Sequence, residues 1–449
     1  MGGMTDQILT PAQPTPPAEI PAEARAHTED LGAFVAASPS SYHAAAEVAR
    51  RAEAAGFTRL AEDAAWAVTP GGRYVVVRDG SVIAFTVPDG AGPRTPFTVV
   101  GAHTDSPGFK LKPKSTTQGA GGWWQAGVEV YGGPLLNSWL DRELELAGRI
   151  VTPDGTEHLV RTGPMLRIPQ LAVHLDRGVN DNGLTLDKQR HTQPVWGLGD
   201  AESADVLAAL AADAGVDPAS IGGYDVVLVD TQPARTFGAG QALFASARLD
   251  NLLSTHAGLT ALLNRASAGA AAGGTVEMFA AFDHEEIGSA SRSGAAGPFL
   301  EEVLVRVSTA LGATAEERAQ AYAASLHVSS DVGHAVHPNY AERHDPANRP
   351  VAGGGPILKI NANQRYATDA HGAAAWTAAC ATAGVPTQEF VSNNGLPCGS
   401  TIGPISATRL GIRTVDVGVP ILSMHSAREL TAVVDPWFLR RAMEAVFTR

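Results

Sequence analysis

The sequence predicts an α/β fold in which helices sandwich a mixed, mainly parallel sheet and a β-rich domain is inserted. Apolar strand-like segments alternate with helical ones up to residue 105 and again after residue 240, a pattern typical of a mainly parallel sheet covered on both faces. Between these limits, segments rich in glycine and tryptophan, such as GAGGWWQAGVEVYGG, predict short strands joined by turns. A chain of 449 residues also exceeds the roughly 250–300 residues at which one core stops growing, so two domains are expected.

Residues 1–26 are predicted to form a flexible tail rich in proline and alanine. Five prolines lie between Pro11 and Pro21, and no basic segment is followed by the apolar stretch of a secretory signal. No run reaches the ~20 apolar residues that span a bilayer, so no membrane association is expected. The two cysteines, Cys380 and Cys398, offer no disulfide framework, and we expect a cytoplasmic protein.

The larger domain is predicted to be discontinuous, with residues 27–105 before the insertion and 241–449 after it. Helical patterns and helix stop signals predict helices over residues 29–57, 249–266, 369–383 and 436–447. Apolar runs bounded by turn residues predict strands over residues 74–78 and 82–87, in TPFTVVGAH, and in GGTVEMFAAFDHEEIGS, where a loop follows the strand. Further strands are predicted in LHVSSDVGH, PILKINANQRY, QEFVSN and TRLGIRTVDVGVP. The insertion, residues 106–240, is predicted to hold mainly strands and one helix near residues 201–213.

The charge of the chain argues against nucleic acid and anionic membranes as partners. Lysine and arginine number 33 against 46 acidic residues, which gives a net charge of −13, and no long basic run occurs. Proteins that bind phosphate backbones or anionic lipids instead present clustered positive charge.

Histidines and acids follow several of the predicted apolar strands. In open α/β sheets, ligands bind beyond the carboxyl ends of the strands, so these side chains are expected to meet there. His103 ends the strand in VVGAHTDSPG, and Asp105 is placed to hold the second ring N–H of a metal-binding histidine. The plainer alternative is a histidine at a strand end that is capped by a turn aspartate.

Two further motifs supply carboxylates. Asp250 in SARLDN begins a predicted helix, where it is either an N-cap or a carboxylate that bridges two ions. In FDHEEIGS, Glu285 and Glu286 follow an apolar run, and two adjacent buried carboxylates are costly unless cations neutralise them. Glu286 is therefore a candidate ligand and Glu285 a candidate proton acceptor, with a solvated acidic turn as the alternative. His284, which directly precedes this pair, is a candidate residue for supporting one of the metal ligands from behind.

The last two motifs complete the set. SSDVGHAVHPNY supplies Asp331, with His334 and His337 as further candidate ligands or pocket residues. VPILSMHSARE places His425 between a buried strand and a predicted helix, for which Ser426 and Glu429 have capping-box spacing. Taken together, the motifs predict two ions that each have one histidine and carboxylate ligands and that share one aspartate, a set suited to zinc.

The sequence resembles the aspartyl aminopeptidase family of dinuclear metallopeptidases. The resemblance covers nearly the whole chain beyond the tail, through the blocks GAHTDSPGFKLKP, WLDRELELAGR, LAVHLDR, SARLDN, DHEEIGS, SSDVGHAVHPNY, LKINANQRYAT, PCGSTIGP and SMHSARE. It implies two divalent metal ions per subunit, with zinc expected and cobalt or manganese as alternatives at one site. It also implies the role of each site residue: His103 and Asp331 bind one ion, Glu286 and His425 the other, Asp250 bridges them, Glu285 is the general base and Asp105 supports His103.

The resemblance also implies an assembly and a substrate. The inserted domain is expected to mediate dimerisation and to act as a lid, within particles of twelve subunits. His174 of LAVHLDR is expected to reach the active site of a neighbouring subunit. Lys359 is expected to offer a positive charge to an acidic side chain, which implies a preference for an unblocked N-terminal Asp or Glu, and Tyr366 is expected to lie near the reacting carbonyl.

The reaction implied by the resemblance is hydrolysis of the N-terminal peptide bond of a peptide by a water that two metal ions activate, with Glu285 as general base. Two alternatives stay open. One is a related dinuclear aminopeptidase or aminoacylase with neutral specificity, against which Lys359 argues. The other is a non-catalytic scaffold stabilised by metal, against which the Glu285–Glu286 pair argues because a structural zinc site needs no spare carboxylate.

Overall fold

The computed structural model describes residues 19–200, 203–269 and 274–448. The helices are α1 (Ala22–Ala37), α2 (Ser41–Ala54), α3 (Val179–Asn182), α4 (Val206–Ala214), α5 (Leu249–Ser267), α6 (Phe299–Ala310), α7 (Ala315–Ala323), α8 (Ala370–Ala383), α9 (Ile402–Leu410) and α10 (Asp435–Phe447). The strands are β1 (Thr58–Arg59), β2 (Arg73–Arg78), β3 (Ser81–Thr86), β4 (Phe97–His103), β5 (Gly108–Gln118), β6 (Trp123–Tyr131), β7 (Leu144–Val151), β8 (Glu157–Arg161), β9 (Val195–Leu198), β10 (Gly223–Asp230), β11 (Arg235–Phe237), β12 (Leu243–Ser246), β13 (Val276–Phe282), β14 (Leu326–Ser330), β15 (Gly333–His334), β16 (Ile357–Lys359), β17 (Gln388–Phe390), β18 (Arg413–Gly418), β19 (Pro420–Ile421) and β20 (Glu429–Ala432).

The central sheet is mixed, and its middle strands run parallel. Within the described residues it has nine strands, in the order β1-β2-β3-β13-β4-β14-β18-β16-β17. The four central strands β13, β4, β14 and β18 run parallel to one another, whereas their outer neighbours β3 and β16 pair antiparallel to β13 and β18. Phe282 pairs with His103 and Ser329 with Gly101, so these strands end at nearly the same level. The predicted mainly parallel sheet is confirmed.

Each face of this sheet is covered by an apolar core. Alternate residues of β13 face opposite sides: Phe279 packs into the core with α5 and α10, and Met278 packs into the core with α6. This alternation of fully buried side chains explains why β13 and β4 are continuous apolar runs in the sequence.

The second sheet is antiparallel and has its own core. Among the described residues it has six strands, in the order β8-β7-β10-β5-β6-β9, and its apolar side chains cluster with those of α4. These strands lie inside the predicted insertion. The segment β11 also lies within residues 106–240, but it pairs with β12, which pairs with β20 of the larger domain.

The N-terminal region differs from the predicted tail. Residues 1–18 lie outside the described residues, and α1 begins at Ala22 within the range predicted as tail. The reason is that the proline-rich composition ends at Pro21, after which Ala24 packs in a small core with Phe438 of α10. The single helical pattern over residues 29–57 is in fact two helices, because Ser40 caps α2 by accepting the backbone N–H of His43. No helix in the described ranges is long and apolar enough to cross a membrane.

Candidate metal centre

The candidate site lies at the carboxyl ends of the central parallel strands. His103 is the last residue of β4, and Asp331 directly follows β14. Glu285 and Glu286 lie in the turn that follows β13. Since these strands end at nearly the same level, residues far apart in the sequence converge, as predicted.

Asp250 lies at the centre of the site, in the first turn of α5. Its Oδ1 atom is 3.2 Å from His103 Nε2, and its Oδ2 atom is 3.3 Å from His425 Nε2. The two oxygens of one carboxylate therefore face two different histidines. This is the arrangement required of an aspartate that contributes to two cation sites.

Each histidine also faces a second carboxylate. Asp331 Oδ1 lies 3.5 Å from His103 Nε2, and Glu286 Oε2 lies 3.5 Å from His425 Nε2. Donor atoms lie within 4.8 Å of one another in the sets His103–Asp250–Asp331, Asp250–Glu286–His425 and His103–Glu285–Glu286. Ligands at the usual distance of about 2.1 Å from a tetrahedral zinc are about 3.4 Å apart, so the separations fit zinc.

Two buried carboxylate oxygens of the cluster have no hydrogen-bond donor of good geometry among the described residues. Asp250 Oδ1 and Glu286 Oε1 are buried and accept no hydrogen bond from the described residues. Burial, together with the charge of Asp250, raises the pKa of Glu286 well above its ordinary value. Burial would lower the pKa of His103, but the carboxylates of Asp105, Asp250 and Asp331 outweigh it and raise that pKa. A cluster that attracts positive charge in this way fits bound cations.

Asp105 supports both His103 and the glutamate turn. His103 Nδ1 lies 3.0 Å from the backbone carbonyl oxygen of Asp105 and 3.4 Å from its carboxylate Oδ1. The carboxylate accepts the backbone N–H groups of Glu285 (3.0 Å) and Glu286 (3.1 Å) and the hydroxyl of Tyr131 (2.8 Å). Burial raises the pKa of Asp105, yet the hydrogen bonds from His103 and Tyr131 outweigh it and the pKa falls. Asp105 is therefore held as an anion.

Glu285 is the carboxylate best placed to exchange a proton. It is half-buried and lines the same cavity as the candidate ligands. Burial and the charges of Asp331 and Asp105 raise the pKa of Glu285 to about 7, against the opposing effect of His103. A pKa near the working pH suits a group that accepts and returns protons.

Of the three predicted substrate-binding residues, two line the cavity that holds the candidate ligands, and His174 does not. Lys359 and Tyr366 line the cavity with the candidate ligands, and the Lys359 ammonium group lies 5.4 Å from the centre of the Tyr366 ring. Lys359 is buried, donates to the carbonyl of Val332 at 2.9 Å and lies 3.4 Å from Asp331 Oδ2. Its charge is thus already paired with a candidate ligand.

His174 is not part of the cavity of its own chain. It lies exposed in the loop before α3, next to the exposed apolar residues Leu171, Val173 and Leu175. Of the remaining candidates, His334 lines the cavity, while His284 donates to or accepts from Ser291 Oγ at 2.8 Å and is not placed among the ligand sets.

The prediction for the segment after His425 is wrong. Residues 429–432 form β20 instead of a helix, so Ser426 and Glu429 are not a capping box. Glu429 points inward and accepts the backbone N–H of His425 at 2.8 Å and that of Asp250 at 2.9 Å. The capping-box spacing of Ser426 and Glu429 is therefore coincidental. The contact of Glu429 with Asp250 joins segments far apart in the chain, which the sequence alone does not show.

Sequence reasoning missed three other residues of the site. Tyr131 binds Asp105, and the carbonyl of Gly133 lies 3.0 Å from His425 Nδ1. Both lie in or next to the second sheet, and nothing in the sequence places them near the ligands. Arg365 is exposed and lines the cavity, and its position inside LKINANQRYAT is the signal that could have drawn attention to it.

Comparison with known proteins identifies the family of the chain. The sequence profile described as "Aminopeptidase I zinc metalloprotease (M18)" matches residues 34–447. The chain belongs to the M18 family. The resemblance to aspartyl aminopeptidases is therefore confirmed, and this M18 chain is a zinc-dependent aminopeptidase.

Curated relatives and solved structures match almost the whole M18 chain. The probable M18 family aminopeptidase 2 of Streptomyces avermitilis is 56% identical over 423 residues, which is 94% of this chain and 97% of the relative. The corresponding Mycobacterium tuberculosis protein is 43% identical over 420 residues, 92% of this chain and 96% of the relative. A chain from the cryo-EM structure of the Ape4 and Nbr1 complex matches with a TM-score of 0.92 and 36% identity, over 97% of this chain and 87% of that one. The S. cerevisiae mApe1 dodecamer matches with a TM-score of 0.82 and 29% identity, over 95% of this chain and 97% of that one.

Proposed function

We propose that this M18 aminopeptidase removes the N-terminal residue of peptides at a centre of two zinc ions, with a preference for unblocked N-terminal Asp or Glu. The observation that carries the proposal is the placement of the two Asp250 oxygens, at 3.2 Å from His103 and 3.3 Å from His425. One ion would be held by His103, Asp331 and Asp250, and the other by Glu286, His425 and Asp250. When bound, such ions supply Lewis acidity toward the scissile carbonyl and an attacking water.

The protein's own residues divide the remaining tasks. Glu285 accepts a proton from the attacking water at its carboxylate and returns it to the leaving amine. Asp105 holds the Glu285 backbone through a 3.0 Å hydrogen bond and so keeps this carboxylate at the edge of the cavity. Tyr366, in the cavity wall, is proposed to lie near the carbonyl that is attacked.

The acidic preference is proposed to depend on positive charge in the cavity wall. Lys359 and Arg365 both line the cavity, and Arg365 is exposed to it. A second candidate, an aminopeptidase of neutral specificity, is favoured by the pairing of Lys359 with Asp331 at 3.4 Å, which occupies one of these charges. An aminoacylase would need to accept a blocked N-terminus.

The assembly is proposed from the structural neighbours, of which the S. cerevisiae mApe1 structure is a dodecamer. We propose that this chain also forms dodecamers through the inserted domain, which also acts as a lid, and that the exposed His174 reaches the site of a neighbouring subunit. A cytoplasmic location stays a prediction.

The deciding experiment measures kcat/KM on Asp-, Glu- and Leu-terminated amides and on an N-acetylated Asp amide, before and after chelation and zinc re-addition. Zinc-restored cleavage that favours free Asp and Glu supports the proposal. A preference for Leu supports the neutral candidate and discards the acidic pocket. Cleavage of the acetylated substrate alone would contradict aminopeptidase action, and no turnover by protein that binds zinc would favour the scaffold.

A further inference from the structure

Glu429 links two residues of the candidate metal centre through their backbones. It is buried at the start of β20. Its Oε1 atom accepts the backbone N–H of His425 at 2.8 Å, and its Oε2 atom accepts that of Asp250 at 2.9 Å. Both of these residues belong to the donor set Asp250–Glu286–His425.

We infer that Glu429 is a positioning residue of the metal centre, which fixes the backbones of Asp250 and His425 so that their side chains face the same ion. The inference rests on the proposed metal centre and assigns a role that neither the motif nor the ligand set predicts. Carboxylates behind metal ligands commonly orient them, usually through the ligand's side chain. Here the carboxylate acts on main-chain N–H groups instead.

The two N–H groups need such a partner because both lie outside regular backbone pairing. Asp250 is in the first turn of α5, where N–H groups have no partner within the helix, and its φ and ψ of −83° and 101° are not helical. His425 lies in the loop between β19 and β20 with a backbone φ of 66°, a conformation that residues other than glycine rarely adopt. A buried N–H without an acceptor is costly, so one carboxylate stabilises both irregular segments.

The surrounding strands place Glu429 at the required position. In the antiparallel pairing of β20 with β12, Glu429 lies opposite Ser246. The strand β12 then leads into α5, where Asp250 is located. Because Glu429 is itself fixed in this pairing, the distance between the two ligand segments is set by a rigid element rather than by a loop.

The chain offers a matched control away from the centre. Asp435 is also fully buried and also accepts two backbone N–H groups, that of Gly353 at 2.7 Å and that of Gly355 at 3.0 Å. Asp435 is not among the residues that line the metal-site cavity. A substitution there therefore reports the general cost of losing such a carboxylate.

The test is a stepwise Co²⁺ titration of the chelator-treated full chain, followed by visible absorption, which measures binding without turnover. Glu429→Gln keeps the size of the side chain but turns one acceptor into a donor. We expect it to weaken binding of the ion held by Asp250 and His425 by about 10–100-fold and to change the spectrum of that step, with a smaller effect on the other ion because Asp250 also faces His103. Asp435→Asn should lower the melting temperature but keep both steps and both spectra of the wild type.

The outcomes separate the inference from the proposal on which it rests. Wild-type protein that fails to bind two Co²⁺ would defeat the two-metal centre itself. If the wild type binds two ions and Glu429→Gln leaves both binding steps unchanged, only the role of Glu429 is overturned. The same holds if Asp435→Asn weakens binding as much as Glu429→Gln does. If Glu429→Gln does not fold, Glu429→Asp takes its place: it keeps the charge but is too short to reach both N–H groups, so the same selective weakening is expected and unchanged binding overturns the inference.

Discussion

The carboxylate of Asp105 accepts the backbone N–H of Glu285 at 3.0 Å, which joins the loop after β4 to the turn after β13. The same carboxylate also accepts the Tyr131 hydroxyl from the second sheet. Three separate segments therefore meet at one anion. The position of the candidate base Glu285 therefore depends on a residue that lies two positions after the candidate ligand His103.

Replacing Asp105 with asparagine should reduce both metal retention and turnover. The amide can accept only through its oxygen, so at least one of the N–H groups of Glu285 and Glu286 loses its acceptor. We expect a loss of about 10–100-fold in zinc affinity or kcat, measured by metal analysis and initial rates. Tyr131→Phe, which removes one bond to the same carboxylate, is the milder control. Equal effects of the two variants would contradict the central role of Asp105.

Glu285→Gln should retain metal and lose most turnover. The candidate ligands stay in place, while the amide cannot accept a proton from the attacking water. We expect kcat to fall by about 10²–10⁴-fold, the usual contribution of general acid–base catalysis. Zinc content measured on the same sample is the control. An unchanged zinc content together with a near-normal rate would show that Glu285 is not the general base.

Lys359 and Arg365 should respond differently to substitution. Lys359→Met removes the charge beside Asp331, 3.4 Å away, and should reduce the rates on Asp- and Leu-terminated substrates alike. Arg365→Ala should instead reduce kcat/KM mainly for Asp and Glu substrates, by about tenfold for one lost charged contact. The ratio of kcat/KM on Asp and Leu substrates measures this. If this ratio changes only in Lys359→Met, then Lys359 and not Arg365 sets the preference for acidic N-terminal residues.

Mixed assemblies should show whether His174 serves a neighbouring subunit. His174→Ala and Glu285→Gln should each be nearly inactive as pure proteins. If His174 reaches across, a mixed particle contains sites in which an intact Glu285 meets an intact His174 from its neighbour. Dissociating and reassembling the two variants together should therefore restore part of the activity. No recovery in particles shown by mass spectrometry to be mixed would refute the contact.

The stability of the fold should fall in acid partly because of His327. This residue of β14 is fully buried, and burial lowers its pKa from 6.5 to about 4. The unfolded chain then binds more protons than the folded one between these values, so falling pH favours unfolding through this window. Melting curves of the wild type and His327→Leu should diverge, with the wild type losing more stability from pH about 6.5 to about 4. Parallel curves would show that His327 does not titrate in this range.

Much of the larger domain, residues 27–105 and 241–449, could be predicted because the apolar pattern of its segments follows from how they are buried in the fold. The runs that became β13 and β4 are buried on both faces, so they are apolar throughout, and the polar residues that end them stand out. The helices predicted over residues 369–383 and 436–447 are also confirmed, as α8 and α10. The tail boundary was wrong because Ala24 is buried in a core with Val385, Ala432 and Phe438, residues far away in the chain.

The sequence by itself determined which residue types the candidate site can draw on, since the identities of His103, Asp250, Glu285, Glu286, Asp331 and His425 and their places near the ends of apolar segments are local properties. Only the tertiary structure decided how they are held. The Asp250 oxygens face two histidines, Lys359 pairs with Asp331, and Glu429 binds two distant N–H groups instead of capping a helix. Such contacts join segments far apart in the chain, and their geometry depends on strand register and packing, which no local pattern of residues specifies.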